Sequence, residues 1–298
     1  MTTLIAVTGA TGQLGSRLAF RLAAEGAAQR MIVRDPARAP ALPGAEIALA
    51  SNYSDGAGMR AALRGVSTLF LVSGREAADR VAQHTAAVDA AVDAGVERIV
   101  YVSFLGAAAD STFTLGRQHW ATEQHIRSSG LRFTFLRDSF YHAMFPHLVG
   151  DDGVIRGPAA EGRVASDAHD DVADVATAVL LDERADAHDG MTYDVTGPEP
   201  ISMAEAAAEL SRVTGRSITY VPETVEEAYA SRAHYGAPEF EVDGWVTSYT
   251  AIAAGDLVVV SPTVERLTAR PAQSFAGWLA ANEPAWAPLR DPAVTGAS

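Results

Sequence analysis

The chain opens on a short apolar run, Leu4 to Val7, and an amphipathic pattern begins at Gln13 and continues to about Glu25. A run too short for a helix, followed by apolar positions at helical spacing, predicts a strand and then a helix. The same alternation recurs down the first half of the chain. Strands are predicted at Gln29 to Arg34, Glu46 to Leu49, Thr68 to Val72, Arg98 to Val102 and Arg132 to Leu136. Helices are predicted between them, at about Asp55 to Arg64, Glu76 to Ala94 and Ser111 to Ser129, with Asp35-Pro36, Gly95 and Gly130 as punctuation. Strands and helices at this spacing form right-handed βαβ units. The expected fold is therefore α/β, a Rossmann-like, doubly wound parallel sheet with helices on both faces.

Beyond about Phe140 the rhythm changes. Glycine, proline and aspartate interrupt a short strand near Val154, a helix at about Asp170 to Leu181 and a strand at Thr192 to Val195. Ser202, with Glu205 three residues on, forms a helix-start pattern. Helices near Val225 to Tyr235, Pro262 to Ala269 and Ala272 to Ala281 point to a smaller, mostly helical lobe over the carboxyl ends of the strands. The expected division is residues 1–140 as a nucleotide-binding domain, with a returning strand at 192–195, and residues 141–298 as a substrate-binding lobe. The last ten or so residues read as disordered.

Between the first strand and helix lie Gly9, Gly12 and Gly15. A strand, a tight glycine turn and a helix N-terminus in succession form the geometry that binds a dinucleotide pyrophosphate. Gly9 permits the turn, Gly12 lets phosphate oxygens reach the backbone amides, and Gly15 lets the helix lie close to the sheet. The spacing is G-x-x-G-x-x-G rather than G-x-G-x-x-G, so the general fingerprint is met loosely.

Composition narrows the chemistry. The formal net charge of −14 disfavours a nucleic-acid partner or an anionic membrane surface. There is no cysteine, which excludes disulfides, thiolate catalysis and cysteine metal sites. The chain begins directly on a strand and holds no run of about eighteen apolar residues, so a soluble, cytoplasmic protein is expected. All 23 basic residues are arginine. No mechanism here can use a lysine ammonium.

In such a sheet ligands bind beyond the strand carboxyl ends. Those positions are Gly9 to Leu14, Arg34, Asn52 with Tyr53, Val72 to Arg75, Ser103 with Phe104, and Arg137 to Tyr141. Arg34 stands where an acidic residue would accept from a ribose 2′-hydroxyl; a guanidinium there suits a 2′-phosphate, with Arg38 in support. NADP(H) is thus expected over NAD(H), although Arg34 also reads as a solvated residue beside a turn-capping Asp35.

Taken together, V-T-G-A-T-G-Q-L-G, the V-R-D-P after the second strand, N-Y-S-D after the third, L-F-L-V-S-G at the fourth and G-V-E-R-I-V-Y-V-S at the fifth resemble the atypical short-chain dehydrogenase/reductases. Within these the chain is most similar to the NmrA-like group that includes type-2 NADPH:quinone oxidoreductases. The likeness continues through W-A-T-E-Q-H-I-R-S-S-G-L-R-F-T-F-L-R and H-D-D-V-A-D-V-A-T-A-V-L, covering roughly residues 3 to 215. It implies that Gly9, Thr11, Gly12, Gln13, Leu14, Arg34, Asn52, Tyr53, Val72, Ser73 and Gly74 contact the cofactor, and that Ser103 matches the active-site serine.

One departure matters. Catalytic members use Tyr-x-x-x-Lys, in which the lysine lowers the tyrosine pKa for proton transfer. Aligning on Glu123 puts Leu115 at the tyrosine position and His119 at the lysine position. With that dyad absent, Ser103 and His119 are the catalytic candidates. His119 and Glu123, four apart, form either a carboxylate-supported proton donor or a surface helix pair. Reduction of an ordinary ketone becomes less favoured than reduction of a quinone, whose reduced oxyanion is delocalised. Phe104, Trp120, Phe140, Tyr141, His142 and Phe145 could sandwich a planar substrate, or pack as ordinary core aromatics. No histidine spacing suggests a metal site, and the acidic run Asp167 to Asp174 reads as a helix start.

The expected function is an NAD(P)H-dependent oxidoreductase acting on a quinone or similar planar aromatic acceptor. Two alternatives are a nucleotide-sensing NmrA-like regulator without turnover and a tailoring enzyme acting on a polycyclic aromatic metabolite. The residues leave the oligomeric state open, a homodimer included.

Overall fold

Seven parallel strands form the centre of the molecule, and the computed structural model describes residues 3–290. The first half alternates as the apolar pattern predicts: β1 (Ile5–Thr8), α1 (Gln13–Ala24), β2 (Gln29–Val33), β3 (Ala45–Leu49), α2 (Gly56–Ala62), β4 (Thr68–Leu71), α3 (Arg80–Asp93), β5 (Arg98–Phe104), α4 (Thr114–Ser128) and β6 (Arg132–Asp138). The second half adds β7 (Val154–Gly157), β8 (Arg163–Val164), α5 (His169–Leu181), β9 (Met191–Asp194), β10 (Ile201–Ser202), α6 (Met203–Thr214), β11 (Thr219–Pro222), α7 (Val225–Arg232), α8 (Glu239–Ala254), α9 (Thr263–Thr268), α10 (Phe275–Ala281) and α11 (Glu283–Trp286).

The sheet order is β3-β2-β1-β4-β5-β6-β9, with Ile5 opposite Gln29 on one side and Thr68 on the other. Its strands are apolar on both faces because both are covered. Ile5 and Val7 enter a core shared with α1 and α5, while Ala6 enters a second core with α2, α3 and α4. Strand order reverses between β1 and β4, and the chain ends there diverge into a crevice, the place where such folds bind ligands.

A third core, built on Phe145, Ile155, Leu210, Ile252, Phe275 and Trp278, forms the smaller body over the strand ends. β9 joins the sheet beside β6, and α5 and α9 pack against the α1 layer, so the chain beyond residue 140 contributes to both bodies. Carboxylates of the acidic run hold that layer: Asp170 pairs with Arg17 and Arg21, Asp171 with Arg270, and Asp174 with Arg21 and Arg270. Among the described residues no helix is long and apolar enough to cross a membrane, and no cluster of histidine and carboxylate is arranged to hold a metal.

Three differences from the sequence pattern bear on the site. The helix predicted from Glu76 begins at Arg80, because Gly74 is held by side chains of α3 instead: its N–H donates to His84 Nε2 (2.8 Å) and its carbonyl accepts from Arg80 Nε (2.8 Å). β11, which was not predicted, pairs parallel with β7. Helix α8 was not predicted either. Its sequence holds Gly244 and a scatter of Val, Trp, Tyr, Thr and Ile, all indifferent or poor helix formers, and tertiary packing of Val246, Tyr249 and Ile252 overrides them. The tail expected to be disordered falls largely at 291–298, outside the described residues.

Candidate active site

The glycine turn is built as its spacing demands. Gly9 has φ +64°, and Gly12 N–H donates to Gly9 O at 2.8 Å. A Cβ at Gly15 would lie 2.3 Å from Gly9 O and 2.8 Å from Thr8 O, so only glycine lets α1 start against the strand. No side chain caps α1 and no acidic residue occupies its first turn, which leaves its N-terminal amides for an anion. Across the switch point, Thr8 Oγ1 accepts from Val72 N–H (2.9 Å), and the buried Tyr53 hydroxyl donates to Val72 O (2.6 Å). Burial raises the Tyr53 pKa to about 12, so this phenol is a strut and not an acid.

Arg34, at the end of β2, is exposed, and no carboxylate pairs with it among the described residues. The neighbouring Asp35 carboxylate accepts from Ala37 N–H (3.0 Å) and caps its own turn. Asn52 is exposed on the same rim, and Thr11 and Gly12 are accessible in the turn.

From this turn a cavity of about 1040 Å³ runs between the strand ends and the smaller body. Gln13, Leu14, Val72 and Ser73 line the end nearest the glycine turn. Phe104, Phe113, Phe140, Tyr141, Trp245 and Tyr249 supply an aromatic wall, in which the Phe104 ring meets Phe113 edge-on at 5.1 Å and Phe140 at 6.1 Å. Phe113, Trp245 and Tyr249 were not singled out in the sequence, and the last two stand on the unpredicted α8. Asp138 and Arg80 also reach this cavity. Position alone pointed to the first, inside the Arg137 to Tyr141 stretch at the strand end; no motif pointed to the second.

Three of the aromatic candidates do not reach the cavity. His142 is buried, bonded through Nδ1 to Ser166 Oγ and through Nε2 to Gln273 O (3.0 Å each), and packs beside Phe275 and Trp278. Phe145 is fully buried against Phe275. Trp120 follows His119 on α4 and is turned about 100° away from it, half-buried outside the lining.

The two catalytic candidates also need correction. Ser103 alternates with Val102 and Phe104 on β5; those two line the cavity, and Ser103 points to the other face, where it donates to Glu123 Oε1 at 2.6 Å. His119 does line the cavity, but not as half of a pair with Glu123, and neither residue is on the surface. Glu123 is spent on Ser103 and on a two-pronged bond to Arg137. Arg80 Nη2 donates to His119 Nε2 at 2.9 Å, and since arginine has only donors, the ring proton is on Nδ1, donated to the Tyr101 hydroxyl at 2.9 Å. Burial, then the Arg80 charge, push the His119 pKa well below its ordinary value. It is a neutral acceptor with no proton to give at Nε2.

The profile of the NmrA-like family matches residues 1–238. Quinone oxidoreductase 2 of Escherichia coli is 33% identical over 280 residues, spanning 92% of this chain and 96% of that protein. Among solved structures, an NADPH-dependent quinone oxidoreductase of Escherichia coli complexed with NADPH superposes with TM-score 0.83 at 32% identity, covering 93% of this chain and 99% of that one. The triphenylmethane reductase of a Citrobacter species, complexed with NADP(H), follows with TM-score 0.81 at 30% identity over 93% and 99%. With its glycine turn, its crevice at the β1/β4 reversal and this match over most of its length, the chain belongs to the NmrA-like family.

Proposed function

We propose that this protein is an NAD(P)H-dependent oxidoreductase that reduces a quinone or a similarly planar aromatic acceptor. One observation carries the reading: a single cavity has the α1 turn and Val72–Ser73 at one end and an aromatic wall at the other. The volume exceeds what one small ligand fills and leaves room for a nicotinamide beside a flat acceptor. The relatives named above act on quinones and on triphenylmethane dyes, two classes of conjugated acceptor.

The residues present fit a dinucleotide. The uncapped amides of Gln13 and Leu14 suit its phosphates, Gly15 permits no Cβ at that turn, and the Val72–Gly74 segment edges the crevice. The exposed, unpaired Arg34 supports a 2′-phosphate and hence NADP(H) over NAD(H). When bound, the reduced nicotinamide supplies a hydride. Phe104, Phe140, Trp245 and Tyr249 hold the acceptor flat and keep water from it, which favours in-line transfer over loss to solvent. Helix α8 closes the far side, in keeping with a substrate lobe formed by the second half of the chain.

The test is to mix the protein with NADPH and a panel of quinones and to follow the reduced-nicotinamide absorbance. Acceptor-dependent oxidation is expected. Tight NADPH binding without it would favour the sensor reading and sink the reductase.

A further inference from the structure

The chain has no lysine, Tyr53 and Tyr101 are buried phenols with raised pKa, and His119 has no proton facing the cavity. A quinone still needs a proton as well as a hydride. A carboxyl at the strand ends, in the cavity wall, can meet that need. Asp138 ends β6 with 5% exposure, and the Tyr141 hydroxyl donates to its Oδ2. Its other carboxyl oxygen, Oδ1, has no partner residue among the described residues. The segment carrying the pair is rigidly held. Asp167 N–H donates to Phe140 O (2.9 Å), His142 N–H to Asp167 O (2.7 Å), and Ser139 N–H to Asp167 Oδ2 (3.0 Å). The Tyr141 ring stacks on His169 with centroids 3.7 Å apart.

We propose that Asp138 is the proton donor to the acceptor and that Tyr141 is the residue that positions its carboxyl. The proposal rests on the reductase reading above. The acceptor gains two electrons and one hydrogen as the hydride from the reduced nicotinamide dinucleotide. The second proton leaves Asp138 Oδ1 for the acceptor heteroatom that carries the new electron pair, so an O–H bond forms there as the carboxyl O–H breaks. The resulting carboxylate then takes a proton from solvent through the cavity mouth.

The surroundings keep that proton available near neutrality. Burial raises the Asp138 pKa to about 7, against the opposing influence of the Tyr141 hydrogen bond and the Arg80 charge. The groups facing it are Tyr141 and Asp167 from the following loops, Arg80 from α3 and Tyr101 from β5. Burial and the proximity of Asp138 raise the Asp167 pKa well above its ordinary value, and its Oδ1 is buried with no hydrogen-bond partner among the described residues. Phenols with raised pKa remain neutral. Arg80 is the cation whose charge lowers the Asp138 pKa.

The discriminating variant is Asp138→Asn, which keeps the shape and can still accept from Tyr141 but has no acidic proton. Two acceptors are used, a naphthoquinone and the cationic dye crystal violet. The dye needs the hydride alone, since addition to its carbocation gives a neutral C–H compound. Wild-type quinone turnover should fall above about pH 7 as the carboxyl ionises. Asp138→Asn should lower it roughly 10- to 100-fold at pH 6 and flatten that alkaline limb, leaving dye reduction and the NADPH dissociation constant within about twofold. Without nucleotide, the infrared difference between wild type and variant at pH 6 should contain a protonated-carboxyl stretch. Equal slowing of both acceptors, undiminished quinone turnover or an absent carboxyl band overturns the proposal. Should Asp138→Asn not fold, Tyr141→Phe serves: losing a hydrogen bond to the charged form should move the alkaline limb up in pH, and an unmoved limb overturns it. Wild-type protein that oxidises NADPH with neither acceptor overturns the reductase reading itself, while the infrared band still reports separately on the carboxyl.

Discussion

Glu123 on α4 grips Arg137 at the end of β6 with both carboxylate oxygens, at 2.8 and 2.7 Å, and it does so with almost no solvent exposure. This ion pair ties a helix to the sheet just outside the cavity lining, and it takes the Ser103 hydroxyl with it. Ser103→Ala should therefore leave the rate of acceptor reduction unchanged and cost about 1 kcal/mol of stability in urea unfolding. Glu123→Ala strands a half-buried guanidinium and should cost about 3–5 kcal/mol. A large loss of turnover in a fully folded Ser103→Ala protein would restore the serine to the chemistry.

His119 should act on stability more than on catalysis. His119→Ala leaves the buried Arg80 Nη2 without its acceptor, and a loss of about 1–3 kcal/mol is expected, read by chemical denaturation. His119→Gln retains an acceptor and should recover much of it. Turnover per folded molecule should stay within a few-fold in both.

The glycines of the turn should separate fold from binding. Gly15→Ala forces a Cβ against Gly9 O and Thr8 O and should lower the melting temperature, with nucleotide binding lost alongside. At Gly12 a Cβ would meet only Gly9 O at 3.2 Å, so Gly12→Ala should fold with little loss while its methyl crowds the phosphate amides. Fluorescence titration with NADPH should show weakened binding in a protein of near wild-type melting temperature.

Arg34→Ala should raise the NADPH dissociation constant by roughly tenfold at low salt and change that for NADH little, because a 2′-phosphate is the group lost. Equal weakening of both nucleotides would refute the assignment.

Acid should destabilise the fold through its buried histidines. Burial is the main cause that lowers His84 to about 3 and His142 and His169 to about 4, with Arg80 and Arg17 adding to the first and last. The unfolded chain takes up these protons below about pH 6.5 and the folded one does not, so stability falls as pH drops from 7 towards 4, by up to about 1.4 kcal/mol per unit for each histidine. Asp138 and Asp167 oppose this: their raised pKa values contribute stability at acid pH that is lost as pH rises through the folded values. Urea unfolding at pH 7.5, 6.5 and 5.5 reads the histidine contribution by difference: the stability of His142→Gln, which can still donate to Gln273 O, should rise relative to wild type as pH falls.

Much of the first half was legible because local rules decide it. Leu4 to Val7 is too short and apolar for anything but a buried strand, and Gly9, Gly12 and Gly15 are read directly as a turn followed by a helix start. The later lobe was less legible. Ser202 and Glu205 announce α6 with a capping box, and Thr224 with Glu227 does the same for α7, but α8 has no such start and a composition that favours strand.

What the sequence by itself determined is the βαβ order, the nucleotide turn, the absence of lysine and the family resemblance, since each depends on residue type at short spacing. Only the tertiary structure decided which side chains face the cavity. Strand alternation turns Ser103 away from it and leaves Val102 and Phe104 in its wall; α3 brings Arg80 to His119 across 39 positions of sequence; and the bridge between Tyr141 and Asp167 holds the Tyr141 hydroxyl on Asp138. Direction, burial and partner are properties of the packed arrangement, and these three decide whether a hydroxyl, an imidazole or a carboxyl has a proton to give.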